Sequence, residues 1–175
     1  MSGPRSRIAR RSLLHLAGAA LLASLGSGCV ENEITDDFST EILITAAGNP
    51  GTVYEVRKRF RFSRSPREAA AFALDGARLL LLAPVDRDLT LLHRVDVLMD
   101  LGDESEPLLL ARAEGFTEGQ SWTDMTIVWT DDLLPLLAED ARLTLVFRVQ
   151  PSAWAQPFPS EGLTVLARAS IRITP

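Results

Sequence analysis

The sequence predicts an all-β fold: an antiparallel β-sandwich, Ig-like or jelly-roll-like, of about eight strands with one or two short helices. Three observations predict it. Apolar and polar residues alternate with period two through most of the chain beyond residue 40, the mark of strands wet on one side. Turn signals such as GNPG (48–51) and LGDESEP (101–107) separate the alternating runs. With 46% hydrophobic residues in 175, the chain has enough apolar material for one domain core.

Each element follows from its own pattern. TEILITA (40–46) reads as the first strand. In TVYEVRKRFRFS (52–63), Tyr54, Val56, Phe60 and Phe62 share one face while Glu55, Arg57, Arg59 and Arg61 share the other; only Lys58 interrupts the apolar side. SPREAAAFAL (65–74) predicts a helix: Ser65 and Glu68 form a capping box, Pro66 takes the first helical position and Gly76 ends it. Strands are expected at RLLLLA (78–83), LHRVDVLMDL (92–101), PLLLARA (107–113) and TDMTIVWT (123–130). DDLLPLLAED (131–140) predicts one or two helical turns, capped by Asp131 or Asp132 and limited by Pro135. RLTLVFRVQ (142–150) and LTVLARASIRIT (163–174) are the cleanest alternating strands.

The first 29 residues read as an address. Basic RSRIARR is followed by a 13-residue apolar run, LLHLAGAALLASL, then by small residues GSG and Cys29. This is the order of a secretory signal, and the run is shorter than the roughly 20 residues of a bilayer-spanning helix. Four of the 18 basic residues and none of the 23 acids fall in 1–28, leaving 14 against 23, a net −9, beyond it. That balance disfavours nucleic-acid binding, which needs clustered positive charge. The expected organisation is a signal peptide at 1–28, an acidic linker at 29–39 and a β domain at 40–175.

The segment ASLGSGC (23–29) resembles the lipobox of bacterial lipoproteins, with Leu25 one step earlier than usual. The resemblance implies cleavage before Cys29 and acylation of Cys29, whose chains hold the protein on the membrane. ARRSLLH (9–15) is partly similar to a twin-arginine export signal. Val30, where Asp marks inner-membrane retention in such proteins, is similar to outer-membrane sorting. Residues 78–173 resemble, in pattern, small β-sandwich lipoproteins of bacterial envelopes. The resemblance implies an envelope location, on the periplasmic face of the outer membrane or the cell surface.

Chemistry is sparse. One cysteine permits neither an internal disulfide nor a zinc site built on Cys pairs. His93 shares strand parity with Val95, Val97 and Met99 and reads as a partly buried structural histidine. There is no G-x-S-x-G elbow around any serine. The acidic turn DLGDESE (100–106) offers oxygen ligands without EF-hand spacing and reads first as a solvated hairpin. Arg57, Arg59 and Arg61 line one strand face, either as a patch for an anionic partner or as a solvated face paired with acids. EGFTEGQSW (114–122) and PSAWAQPFPSEG (151–162) carry the candidate binding aromatics Phe116, Trp122, Trp154 and Phe158, which either meet a glycan or protein or fold back over the sandwich end. The expected function is a non-enzymatic structural or binding module without cofactor, its partners the membrane through Cys29 and an envelope protein or glycan. The alternative is a hydrolase using scattered carboxylates on the same scaffold.

Overall fold

The structure is a computed structural model that describes residues 33–45, 52–102, 106–137, 142–153 and 158–175. Among these residues it is all-β, with nine strands in two antiparallel sheets. The four-stranded sheet has the order β1 (Ile34–Ile44), β9 (Leu163–Thr174), β3 (Ala71–Ala83), β6 (Trp122–Asp124). The five-stranded sheet has the order β2 (Tyr54–Arg61), β8 (Arg142–Pro151), β4 (Leu92–Asp100), β5 (Leu108–Glu114), β7 (Thr126–Ile127).

Alternation decides which residues fill the space between the sheets. Leu163, Val165, Ala167, Ala169, Ile171 and Ile173 of β9 are buried, as are Leu143, Leu145, Phe147 and Val149 of β8. An aromatic chain links the layers: Phe38 to Phe60 at 5.0 Å, Phe38 to Phe62 at 5.5 Å and Phe62 to Phe72 at 4.6 Å between ring centroids, the last two edge-on. Tilted and edge-on packing suits rings with a negative face and positive rim. Lys58 is exposed on β2, an edge strand, and its ammonium sits 6.0 Å from the Phe60 ring. A charge interrupting the apolar side of an edge discourages pairing with another chain.

Four expectations from the sequence need correction. The linker at 29–39 is too long: β1 begins at Ile34, and residues 34–39 pair in register with 168–173 of β9. The acidic residues hid this strand. Asp36 is accommodated because its Oδ2 accepts the Ser63 backbone N–H at 2.7 Å. Residues 29–32 of that expected linker, like the expected signal at 1–28, lie outside the described residues.

The helix at 65–74 is a single 3-10 turn, Pro66–Glu68, with the Ser65 hydroxyl accepting the Arg67 N–H at 3.3 Å. The alternation that follows wins over helix propensity. Phe72 and Leu74 are buried as strand residues opposite Ile173 and Ile171, a packing that outweighs the weak preference of alanine for helix. The expectation of one or two turns at 131–140 holds: among the described residues there is one 3-10 turn, Leu134–Leu136. Asp132 supports it by accepting N–H bonds from Leu134 at 2.9 Å and from Phe72 at 2.8 Å.

The single strand expected at 123–130 is two strands in two sheets. β6 pairs with β3, β7 pairs with β5, and buried Met125 lies at the crossing, its N–H bonded to the Ala77 carbonyl. Finally, His93 is exposed rather than partly buried, because the ladder shifts between Leu92 and Arg94 and so breaks its parity with Val95. A bulge of this kind redirects a side chain without ending the strand.

Gly162 leads into β9 in a conformation with φ +89°, and a Cβ there would lie 2.7 Å from the Ile44 carbonyl oxygen. Gly162→Ala is therefore expected to lower stability by about 2 kcal/mol, from left-handed backbone strain plus the clash. Gly119→Ala has φ +76° but open space, so it should lose about 1 kcal/mol, from backbone strain alone. Urea denaturation of the two variants measures the difference.

Candidate functional site

The strand registers place four connections at one end of the sandwich. There Ile44 faces Leu163, Tyr54 faces Val149, Leu92 faces Pro151, Arg94 faces Glu114 and Leu80 faces Trp122. These strand ends bound the connections 45–53, 84–91, 115–121 and 152–162, which include both aromatic segments. The opposite end carries Ile34 facing Ile173, Ala71 facing Thr174 and Arg61 facing Arg142. The Ser63–Asp36 hydrogen bond joins the two sheets there.

The aromatic candidates separate by exposure. Phe116 and Phe158 are half-buried and pack against the core, closing the end of the sandwich. Trp154 lies outside the described residues. Trp122 stands on β6, the short edge strand, and is 51% exposed.

The segment leading to Trp122 is held at several points. Leu89 N–H bonds the Gln120 carbonyl and Leu81 N–H bonds the Ser121 carbonyl, both at 2.8 Å. The Asp88 carboxylate accepts from the Gly119 N–H at 2.8 Å, from the Thr90 N–H at 3.0 Å and from the Thr90 hydroxyl. The side-chain amide oxygen of Gln120 accepts from both the N–H and the hydroxyl of Thr117. On the sheet surface Arg78 pairs with Asp124 at 2.8 Å and places its guanidinium 5.1 Å from the Trp122 ring centroid.

The Thr90 hydroxyl, and next the Gly119 N–H, hold the Asp88 carboxyl below the usual carboxylate range. A depressed folded-state pKa means a contribution that is complete above the unfolded value, near 4, and disappears as pH falls through the lowered folded value. Protection of the Gly119 amide from exchange is therefore expected to be constant from pH 7 to about 5 and to fall below about pH 4, and Asp88→Asn should lower it already at neutral pH. NMR hydrogen exchange checks both.

Trp122 continues a row across the outer face of the four-stranded sheet. The registers align Glu41, Leu166, Leu80 and Trp122, and beside them Ser39, Arg168, Arg78 and Asp124. Leu80 and Leu166 are partly exposed, so this row has an apolar centre. Asp37 accepts from Arg168 and from the Ser170 hydroxyl, and these bonds hold its carboxyl below the usual range.

The three arginines of β2 differ in what they bond. Arg57 bonds Glu55 at 2.8 Å and Asp100 at 2.7 Å, while Arg59 and Arg61 are exposed. To reach Asp100 on β4, Arg57 crosses β8. Its stem thereby lies over the outward-facing Val146, which is buried along with Leu98 beside it. The same face carries a charge network the sequence reading missed. Asp96 is 6% exposed and meets Arg112 at 2.7 Å and Arg94 at 3.3 Å. Arg148, opposite Asp96 in register, bonds Glu55 at 2.8 Å. The available signal was an aspartate between two buried valines with arginine adjacent.

These facts bear on the other candidate chemistries. Asp100 spends both oxygens, on Arg57 and on the Gly102 N–H at 3.0 Å, which leaves little of it for a cation at the acidic turn; residues 103–105 lie outside the described residues. No group of three or more metal-ligating side chains occurs among the described residues. Glu55 and Asp96 border an open depression of about 360 Å³, but Arg148 and Arg57 hold the Glu55 carboxyl below its usual range. Among the described residues no helix is long and apolar enough to cross a membrane. No family model matches this chain, and no curated protein matches it.

Proposed function

We propose that this chain is an exported cell-envelope lipoprotein, acylated at Cys29, whose β-sandwich is a non-enzymatic binding module presenting its far end to a ligand or partner. The observation that carries this reading is the polarity of the sandwich. Ile34, five residues after Cys29, is at one end. Trp122 and the strand ends that bound the second aromatic segment are at the other. With β1 starting so early, the tether from Cys29 to Ile34 reaches at most about 18 Å. Anchoring at Cys29 therefore keeps the Ile34 end within that reach of the lipid, a restraint that does not bind the Trp122 end.

A carboxyl pushed upward to serve as general acid would support the hydrolase alternative; the carboxyls of Asp37, Glu55, Asp88 and Glu161 are instead held down by their hydrogen-bond partners.

Mass spectrometry of the native protein tests the anchor. The expected species begins at Cys29 and carries fatty acyl mass, and Cys29→Ser should move the protein from the membrane to the soluble fraction. A retained leader, or an unmodified Cys29, overturns the reading.

A further inference from the structure

We propose that the Trp122 platform is a saccharide-binding subsite: the indole stacks on the apolar face of a sugar ring, and the polar groups around it bond the sugar hydroxyls. This deepens the binding-module reading and rests on it for the choice of envelope glycan as a probe.

Three observations combine. First, Trp122 is half exposed, yet both neighbouring segments are fixed by the Leu81–Ser121, Leu89–Gln120 and Asp88–Gly119 hydrogen bonds. An exposed indole on a rigid support offers a flat surface whose ordering cost is already met by the fold. Arg78, oriented by Asp124, backs the ring.

Second, the open depression at this ring, of about 550 Å³, is lined otherwise by polar residues and glycine: Thr117, Gly119, Gln120, Ser121, Thr123 and Asp124. Their bonding leaves defined groups for a ligand. The Gln120 amide oxygen is used by Thr117, which assigns the amide NH2 as a donor facing elsewhere. Asp124 uses Oδ1 for Arg78 and keeps Oδ2 as an acceptor. One donor and one acceptor beside an aromatic face match a polyhydroxylated ring, whose edges bear hydroxyls and whose face bears C–H groups. A protein interface core, by contrast, is depleted of charged residues such as Asp124.

Third, the site is extended. Leu80 and Leu166 continue from Trp122 across the sheet to Glu41. Three strand spacings make a floor of about 14 Å. That length suits a short run of sugars rather than one, and a polymer rather than a free monosaccharide.

The test uses the purified full chain and three insoluble probes: peptidoglycan sacculi, chitin and β-1,4-glucan. Retention on at least one is expected, with Trp122→Ala weakening it about tenfold or more and Trp122→Phe keeping most of it. Trp122 is at the surface, so an unchanged melting temperature should accompany the loss. Gln120→Glu, which keeps the acceptor for Thr117 and removes the NH2 donor, and Asp124→Asn, read on the same probe, should weaken retention. Retention that is indifferent to Trp122→Ala overturns the proposal, as does the absence of retention on all three probes. Crosslinking from Trp122 into an envelope protein instead of glycan also overturns it, in favour of a protein partner. None of these readouts depends on acylation, so a failure of the anchor and a failure of the subsite are told apart.

Discussion

Replacing Phe72 with alanine is expected to lower the stability of the domain by about 3–5 kcal/mol, the usual cost of removing a buried aromatic ring. Phe72 is fully buried, and its ring meets Phe62 edge-on at 4.6 Å. Phe62 in turn contacts Phe38, which contacts Phe60, so one ring begins a chain running through both layers. Removing it leaves a void that Phe38 and Phe60 cannot fill, because both sit on paired strands with fixed registers. The backbone N–H of Phe72 keeps its bond to Asp132 in the variant, which isolates the packing loss. A domain of this size is stable by about 5–15 kcal/mol, so Phe72→Ala should remove a large share of that margin. Urea titration measures the loss, with Val85→Ala, at a residue 94% exposed, as the neutral control. A loss under about 1 kcal/mol would mean that the aromatic chain is not a packed unit.

Asp96→Ala should have the next largest effect, about 2–3 kcal/mol. That is less than the cost of breaking a fully buried pair, because its arginine partners remain partly in water. The carboxylate is buried between Arg94 and Arg112, with Arg148 opposite. Its removal leaves three guanidinium groups close together, with Glu55 on Arg148 and Glu114 near Arg94 and Arg112 as the remaining acids. Arg112, whose pKa Asp96 raises, loses its principal partner. The loss should persist at 1 M salt, because the pair is shielded from mobile ions, while the effect of Asp124→Ala on the exposed Arg78–Asp124 pair should fade. A double-mutant cycle of Asp96→Ala with Arg112→Ala is expected to show coupling of about 1–2 kcal/mol. Additive losses would show that Asp96 acts through packing alone.

The same strands show which features a local reading reaches. The alternation in β8 and β9 needs no partner to be seen, since each strand states its own buried face every second residue. The strand at 34–39 was hidden because Asp36 and Asp37 make the stretch look solvated. What makes it a strand is β9, more than a hundred residues away, together with the Ser63 N–H that satisfies Asp36. Residues 71–74 failed for the same reason. Alanine propensity and a good cap are local; the burial of Phe72 and Leu74 opposite Ile173 and Ile171 is not. The exposure of His93 depends on a ladder shift that no spacing reveals.

The candidate site divides in the same way. An aromatic near glycines and hydroxyls was visible in EGFTEGQSW, but four aromatics qualified. Only the folded chain separates Phe116 and Phe158, spent on the core, from Trp122, left outside. The arginines of β2 were visible too, and only the registers show Arg57 committed to Glu55 and Asp100.

By itself, then, the sequence determined that this chain makes antiparallel strands around an apolar centre, because a period of two is written residue by residue into the polymer. The tertiary structure decided where strands begin, which charges neutralise one another, and that Trp122 lies at the end remote from Ile34. Those outcomes depend on pairings between distant segments, whose free energy appears only when two surfaces meet and exclude water.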